Sequence, residues 1–435
     1  MKNLFLMGLA LGAFTFASCD KNKDSFATND SFDKRSTEAD YSGYPATVQT
    51  VSGNITSNTT WTSDKVWQIS GVVTVKSGAT LTIQPGTFIK STVNTPGTPN
   101  GVLVIQRGAK INATGTAASP IVFTSRNLLD GNTSTKGAPG DFGGVILLGN
   151  APANVSGRTI EGLPTSPDYT FGGTNSADNS GTMKYVRIEY GGFNLSTDNE
   201  VNGLTLGGVG SGTVLDYIQV SYGKDDGFEF FGGTVNPKHL IAFGSDDDQF
   251  DFDNGYRGTI QYAVAVADGN STHSTSGGTS DSNGIESDNN APADDASFSL
   301  TPKTRPVLRN FSIVGTRTAA AATGVGYKYG VRNRRGAEID MQASLITGFP
   351  SGFVFDGTAP ASSVLTNNSV HGFTAAITPA VSGNTVNTGA TAQNYGMAQP
   401  WFNVNPSVNF LASGTRGAVT STSGNWLTGW TKFVF

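Results

Sequence analysis

The sequence predicts an all-β chain wound as a single parallel β-helix, a solenoid with long loop insertions, and three observations carry that prediction. The first is a phrase that occurs nearly twice: residues 222–233 read YGKDDGFEFFGG and residues 243–255 read FGSDDDQFDFDNG, a period of 21 or 22 residues. A period that short, alternating apolar and acidic residues between glycines, describes one coil of a stack and not a separate domain. The second is composition: 56 glycines and only 14 % charged residues, with Val, Ile, Thr, Phe and Tyr alternating with small polar residues. That is the composition of short strands joined by tight turns. The third is that no long stretch repeats apolar residues at the helical period. A solenoid grows by adding coils, so 435 residues do not require several domains.

Taken in order, the chain opens with Lys2, an apolar run, and Ala17-Ser18 directly before Cys19, the only cysteine. This pattern resembles a bacterial lipoprotein signal, in which residues 1–18 are removed and Cys19 carries the lipid. An ordinary secretory signal is the plainer alternative, and the apolar run is too short to span a bilayer comfortably. Acyl chains on Cys19 would anchor the chain to a membrane leaflet. No thiol then remains for disulfide, redox or zinc chemistry. Residues 19–45 are polar and aperiodic and read as a flexible tether. Residues 46–435 read as the β-helix domain.

Within it, residues 73–86 and 103–115 align Gly78 on Gly108, Ala79 on Ala109 and Leu81 on Ile111, two strand pairs each joined by a glycine corner. VRIEYG at 186–191 recurs as IQVSYG at 218–223. Period-two alternation puts Val186, Ile188 and Tyr190 inward under Ile218, Val220 and Tyr222, with Arg187, Glu189, Gln219 and Ser221 facing solvent. Further coils follow at 258–269, 284–289, 309–315, 327–336, 337–348 and 363–373. The tail GNWLTGWTKFVF supplies an aromatic cap for the open end, which would otherwise expose apolar side chains and strand edges.

The central repeat places Glu229, Asp251 and Glu286 in one outward column. Neighbouring coils lie about 4.8 Å apart, and like charges directly opposite one another destabilise a sheet. The column therefore asks for a cation, a raised pKa or a splayed geometry. A second acidic row forms at the preceding turn, where Asp225 and Asp226 stack over Asp246 and Asp247. Oxygen-only donors from several coils suit calcium; three scattered histidines do not suit zinc or iron. The alternative is a solvated acidic edge that keeps the solenoid soluble. Lys328, Arg332 and Arg334 form a candidate ligand or lyase face, since a β-helix lyase needs a basic residue beside calcium. The same residues also read as an ordinary basic surface. A net charge of −5 and a pI near 5.3 argue against a nucleic-acid partner.

The opening units VTVKSGATLTIQPGT and LVIQRGAKINATG resemble the first coils of secreted bacterial right-handed β-helix proteins. The wider series GDFGGVILLGNAP, YVRIEYGG, YGKDDGFEFFGG, SDDDQFDFDNGYRG and GWTKF resembles a family of outer-envelope β-helix lipoproteins of Bacteroidetes and leptospires. The resemblance implies a right-handed solenoid, a lipid-anchored and surface-exposed location, and for some members association with TonB-dependent receptors. It brings no catalytic residues. The expectation is thus a non-enzymatic β-helix that binds a glycan, a receptor or an envelope protein. The rival is a calcium-assisted polysaccharide lyase or glycoside hydrolase.

Overall fold

The chain is seen in a computed structural model that describes residues 41, 43–93, 97–196, 199–269, 271, 273, 282–323, 326–393, 397–398, 403–404, 415–420 and 423–432. Cys19 and the signal and tether readings for 1–40 lie outside the described residues.

One central coil shows the plan. Strand Val214–Ser221 turns at Tyr217, whose φ of 53° sends the chain from one face of the solenoid to the next within a single residue. A turn through Asp225 and Asp226 then leads to Phe228–Phe231 on a third face. The neighbouring coils repeat this in parallel register: Ile218 pairs with Val186 and Leu240, and Phe228 pairs with Leu204 and Phe250. The left-handed corner recurs at Tyr185, His239, Tyr262, Asn310, Ala343 and Asn367. Side chains other than glycine rarely adopt that conformation. Here stacking helps to hold it: Tyr185, Tyr217, His239 and Tyr262 lie face to face at 4.5, 4.3 and 5.3 Å.

The interior is a continuous apolar stack. Phe228 lies on Phe250 at 5.0 Å and Phe230 on Phe252 at 5.1 Å, all fully buried among Val186, Ile188, Leu204, Ile218 and Val220. Each such side chain contributes about 1.5–3 kcal/mol by leaving water. The right-handed parallel β-helix with loop insertions expected from the sequence is what these strands form, and the pairings Leu81 with Ile111 and Val186 with Ile218 hold.

The outward positions differ from expectation. Arg187, Glu189, Gln219 and Ser221 are 9, 0, 0 and 0 % exposed, not solvated. The described part of the tail lies along this flank rather than across the open end, and Trp426, Leu427 and Trp430 bury it. Tyr190 and Tyr222 stack at 5.4 Å as expected, but in this outer cluster and not in the central core. Strand alternation ends at Glu189 and Ser221, and the positive φ of Tyr190 and Tyr222 (59° and 55°) redirects both rings. The stretch read as tether also reaches the body: Tyr41 and Tyr44 pack into the same cluster.

Candidate functional site

The acidic face is built by four stacked strands, Phe228–Phe231, Phe250–Asp253, Ile285–Ser287 and Tyr329–Asn333. Their register places Thr205, Glu229, Asp251, Glu286 and Arg332 in one outward column. Phe231 and Asp253 begin a second column, which Asp288 and Arg334 continue through backbone bonds to Phe252 and Ser287. The first column is the one expected, with an arginine as its next rung.

That arginine changes the basic residues' part. Arg332 does not face the acids across a groove. It stacks beneath them, 3.7 Å from Glu286 and 2.9 Å from Asp356. Arg334 pairs with Glu286 and, at 2.8 Å, with Asp288, while Arg335 reaches Asp288 at 2.6 Å. Lys328 precedes the strand, where its backbone bonds Ser282 and Ser351, and does not join either column. The charge compensation the column asks for is therefore present at the Glu286 end. Among the described residues Glu229 and Asp251 make no ion pair, and Asp251 Oδ1 is buried without a hydrogen-bond donor.

The turn row needs a correction of one residue. Ser221 pairs with Phe243 and Phe228 with Phe250, so the offset is 22 on both sides of the turn. Asp225 and Asp226 therefore lie opposite Asp247 and Asp248. The likeness of Tyr222-Gly223 to Phe243-Gly244 suggested the wrong pairing. Asp246 falls opposite Lys224 and turns away: its carboxylate accepts the Ser271 hydroxyl. Asp226 and Asp248 also hold the turns together. Asp226 N–H donates to Asn202 Oδ1 at 3.1 Å, Asp248 N–H to Asp226 Oδ1 at 2.8 Å, and Asn283 N–H to Asp248 Oδ1.

Two carboxylates missed in the sequence complete the site. Gly162 donates its N–H to Asn199 Oδ1 at 2.6 Å, and a Cβ there would lie 2.4 Å from the Glu200 carbonyl oxygen. Only glycine permits that approach, which brings Glu161 and Glu200 together beside Asp225. Carboxylate oxygens then fall within 4.8 Å of one another in four overlapping groups: Glu161, Glu200 and Asp225; Asp225, Asp226 and Asp247; Asp226, Glu229 and Asp251; and Asp248, Asp251 and Glu286. Neither glutamate belongs to a repeat, so periodicity could not find them. For Glu161 the sequence signal was an acid beside a glycine in a long loop; Glu200, on the short strand Asn199–Val201, carried none.

Burial, and then neighbouring carboxylates, raise Asp225, Asp226, Glu229, Asp248 and Glu286 well above the usual carboxylate range. Asp251 is pushed up to about 7 and Glu161 to about 8, burial again leading. So dense a group must share protons or hold a cation at neutral pH. Tyr222, Phe231 and Tyr256, aromatic residues close in sequence to the acidic turns and able in principle to stack on a ligand, are buried. Phe231 packs at 5.9 Å on Phe171 of the loop that covers the face beside the acids.

Coils of parallel strands with a polar site on an outer face define a β-helix protein. Residues 53–431 match the pectate-lyase-like beta helix domain, and the chain belongs to that family. No curated protein matches it. Among solved structures, the crystal structure of Dettilon tailspike protein (gp208) is similar at 11 % identity and a TM-score of 0.26, over 74 % of this chain and 62 % of that one. This chain thus spans less than two thirds of the tailspike chain.

Proposed function

We propose that this protein is a lipid-anchored, surface-exposed β-helix of the cell envelope whose acidic face binds a hard cation, calcium foremost, and with it a glycan or an envelope-protein partner such as a TonB-dependent receptor. One observation carries the reading: carboxylates from two turns, three stacked strands, the loop of Glu161 and the hairpin strand of Glu200 converge, with the buried Asp251 Oδ1 left without a donor. Oxygen donors in excess of six fit calcium, which accepts six to eight at flexible geometry. Asp225, Asp247, Glu229 and Asp251 would hold the ion, with Glu161 and Glu200 closing the side nearest the loop. The bound ion would offset their mutual repulsion and offer open coordination positions to a ligand's hydroxyls or carboxylates.

The second reading, a polysaccharide lyase or hydrolase, draws on the family and on the raised carboxyls, which suit proton transfer. Against a lyase stand the ion pairs that occupy Arg332 and Arg334. The test is calorimetric titration of the mature chain with calcium, followed by a glycan panel with and without chelator, read for binding and for released product. Calcium uptake with chelator-sensitive binding and no product supports the proposal. Product formation supports the enzyme, and no calcium uptake removes the cation from either reading. Cys19→Ser should move the protein out of the membrane fraction; retention of residues 2–18 in mass spectra would rule the anchor out.

A further inference from the structure

The two ends of the described chain meet on one flank of the solenoid. The N-terminal segment runs along it from Thr47, whose carbonyl accepts Val66 N–H at 2.8 Å, past Tyr44 against Phe88 at 6.2 Å, to Tyr41, whose hydroxyl donates to Glu189. The C-terminal strap comes the other way. Arg416 donates to Thr385 Oγ1 and Asn367 Oδ1, both at 3.1 Å, and Gly417 N–H to the Ala343 carbonyl at 2.9 Å. Ala418 N–H donates to Ser312 Oγ at 2.9 Å. Trp426 and Trp430 then lie edge-on to the stacked corner rings His239, Tyr217 and Tyr185. At its end the Gln219 side chain grips the strap backbone, donating to the Lys432 carbonyl and accepting from Lys432 N–H, each at 2.9 Å.

The junction is a closed chain of contacts. The Lys432 ammonium lies 4.4 Å over the Tyr41 ring. Glu189, fully buried, accepts from Tyr41 and from Thr124 at 2.8 Å and pairs with Arg187 at 3.1 Å; Arg187 in turn points at the Trp430 carbonyl. An ion pair buried like this tolerates the loss of a contributing group poorly, because a charge is left out of water without compensation.

We infer that the two ends form one latch: Tyr41 holds the end of the strap down over Arg187, Glu189 and Gln219, so that freeing the N-terminal segment frees the strap. The consequence follows from solenoid physics. Each coil otherwise touches only its neighbours, so coils can fray from an end. The strap links coils from Thr385 back to Gln219 and makes them open together. Displacement of the N-terminal segment is thereby transmitted to the C-terminal coils.

Hydrogen exchange of the mature chain, followed by mass spectrometry, tests this. Tyr41→Ala should accelerate exchange of the 415–432 amides at least tenfold while the 204–266 strands keep their protection, and Tyr41→Phe, which keeps the ring under Lys432, should have a smaller effect. Trp430→Ala should reciprocally accelerate exchange at 43–47. Strap protection unchanged in Tyr41→Ala overturns the latch. So does equal loss of protection throughout the chain, which would make Tyr41 a general stability residue.

Discussion

Asp251 is the residue on which the acidic face turns, because it belongs to two of the four carboxylate groups and carries the buried oxygen without a donor. Its folded pKa of about 7 lies above the unfolded value near 3.9, so the protonated form is the one folding favours. Its contribution to stability is full below pH 4 and is lost as pH rises through 7. Asp251→Asn should therefore raise the melting temperature of the ion-free protein at pH 8 and change it little at pH 4. The same substitution should weaken calcium uptake, as titration of the variant would show. Asp226 makes the opposite point about a carboxylate. Its Oδ1 accepts the Asp248 N–H, a role an asparagine side chain also fills. Asp226→Asn should be neutral or stabilising, whereas Asp226→Ala leaves that N–H unpaired and should cost about 1–3 kcal/mol in denaturant melts.

At the scale of strands and turns, legibility followed periodicity. Glu229, Asp251 and Glu286 were found from sequence because strand alternation repeats without insertion across those coils. The turn was misread by one residue because its letters resemble one another at the wrong offset, and only the strand pairing on both sides fixes it. Arg187 and Gln219 were assigned to solvent because alternation says which side of a strand a residue occupies, not what covers that side. Their cover comes from residues more than 200 positions away. Glu161 and Glu200 were missed for a related reason: a loop contact set by Gly162 has no period. Arg334 continues the second column and reaches across to the first, pairing with the buried carboxylates of both Glu286 and Asp288. Arg334→Met takes a cation from Glu286 and Asp288, which keep Arg332 and Arg335, and should destabilise the fold by about 1–3 kcal/mol, with the loss largest above pH 7; an unchanged denaturation midpoint would show that the remaining arginines suffice.

For the whole molecule, proton and cation binding compete for one set of carboxylates, and the competition makes a signature that neither a solvated edge nor a purely structural cluster would give. In chelator, the folded protein holds protons that the unfolded chain releases, because burial and like charge raise Asp251 to about 7 and Glu161 to about 8. Stability should thus be greatest near pH 4–5 and fall steadily towards pH 8, the reverse of a protein stabilised by paired carboxylates. Calcium needs the deprotonated groups, so its effect must grow over the same interval. At a hundredfold excess over its dissociation constant it should add about 2.7 kcal/mol at pH 8. At pH 5, where protons occupy the site, the effect should be much smaller. Melting curves at pH 5 and pH 8, with calcium and with chelator, contain the whole test. A calcium effect confined to pH 8 places the ion among these carboxylates. An equal effect at both values puts it elsewhere on the solenoid. Curves that do not respond to calcium at pH 8 leave protons as the only occupants of the acidic face.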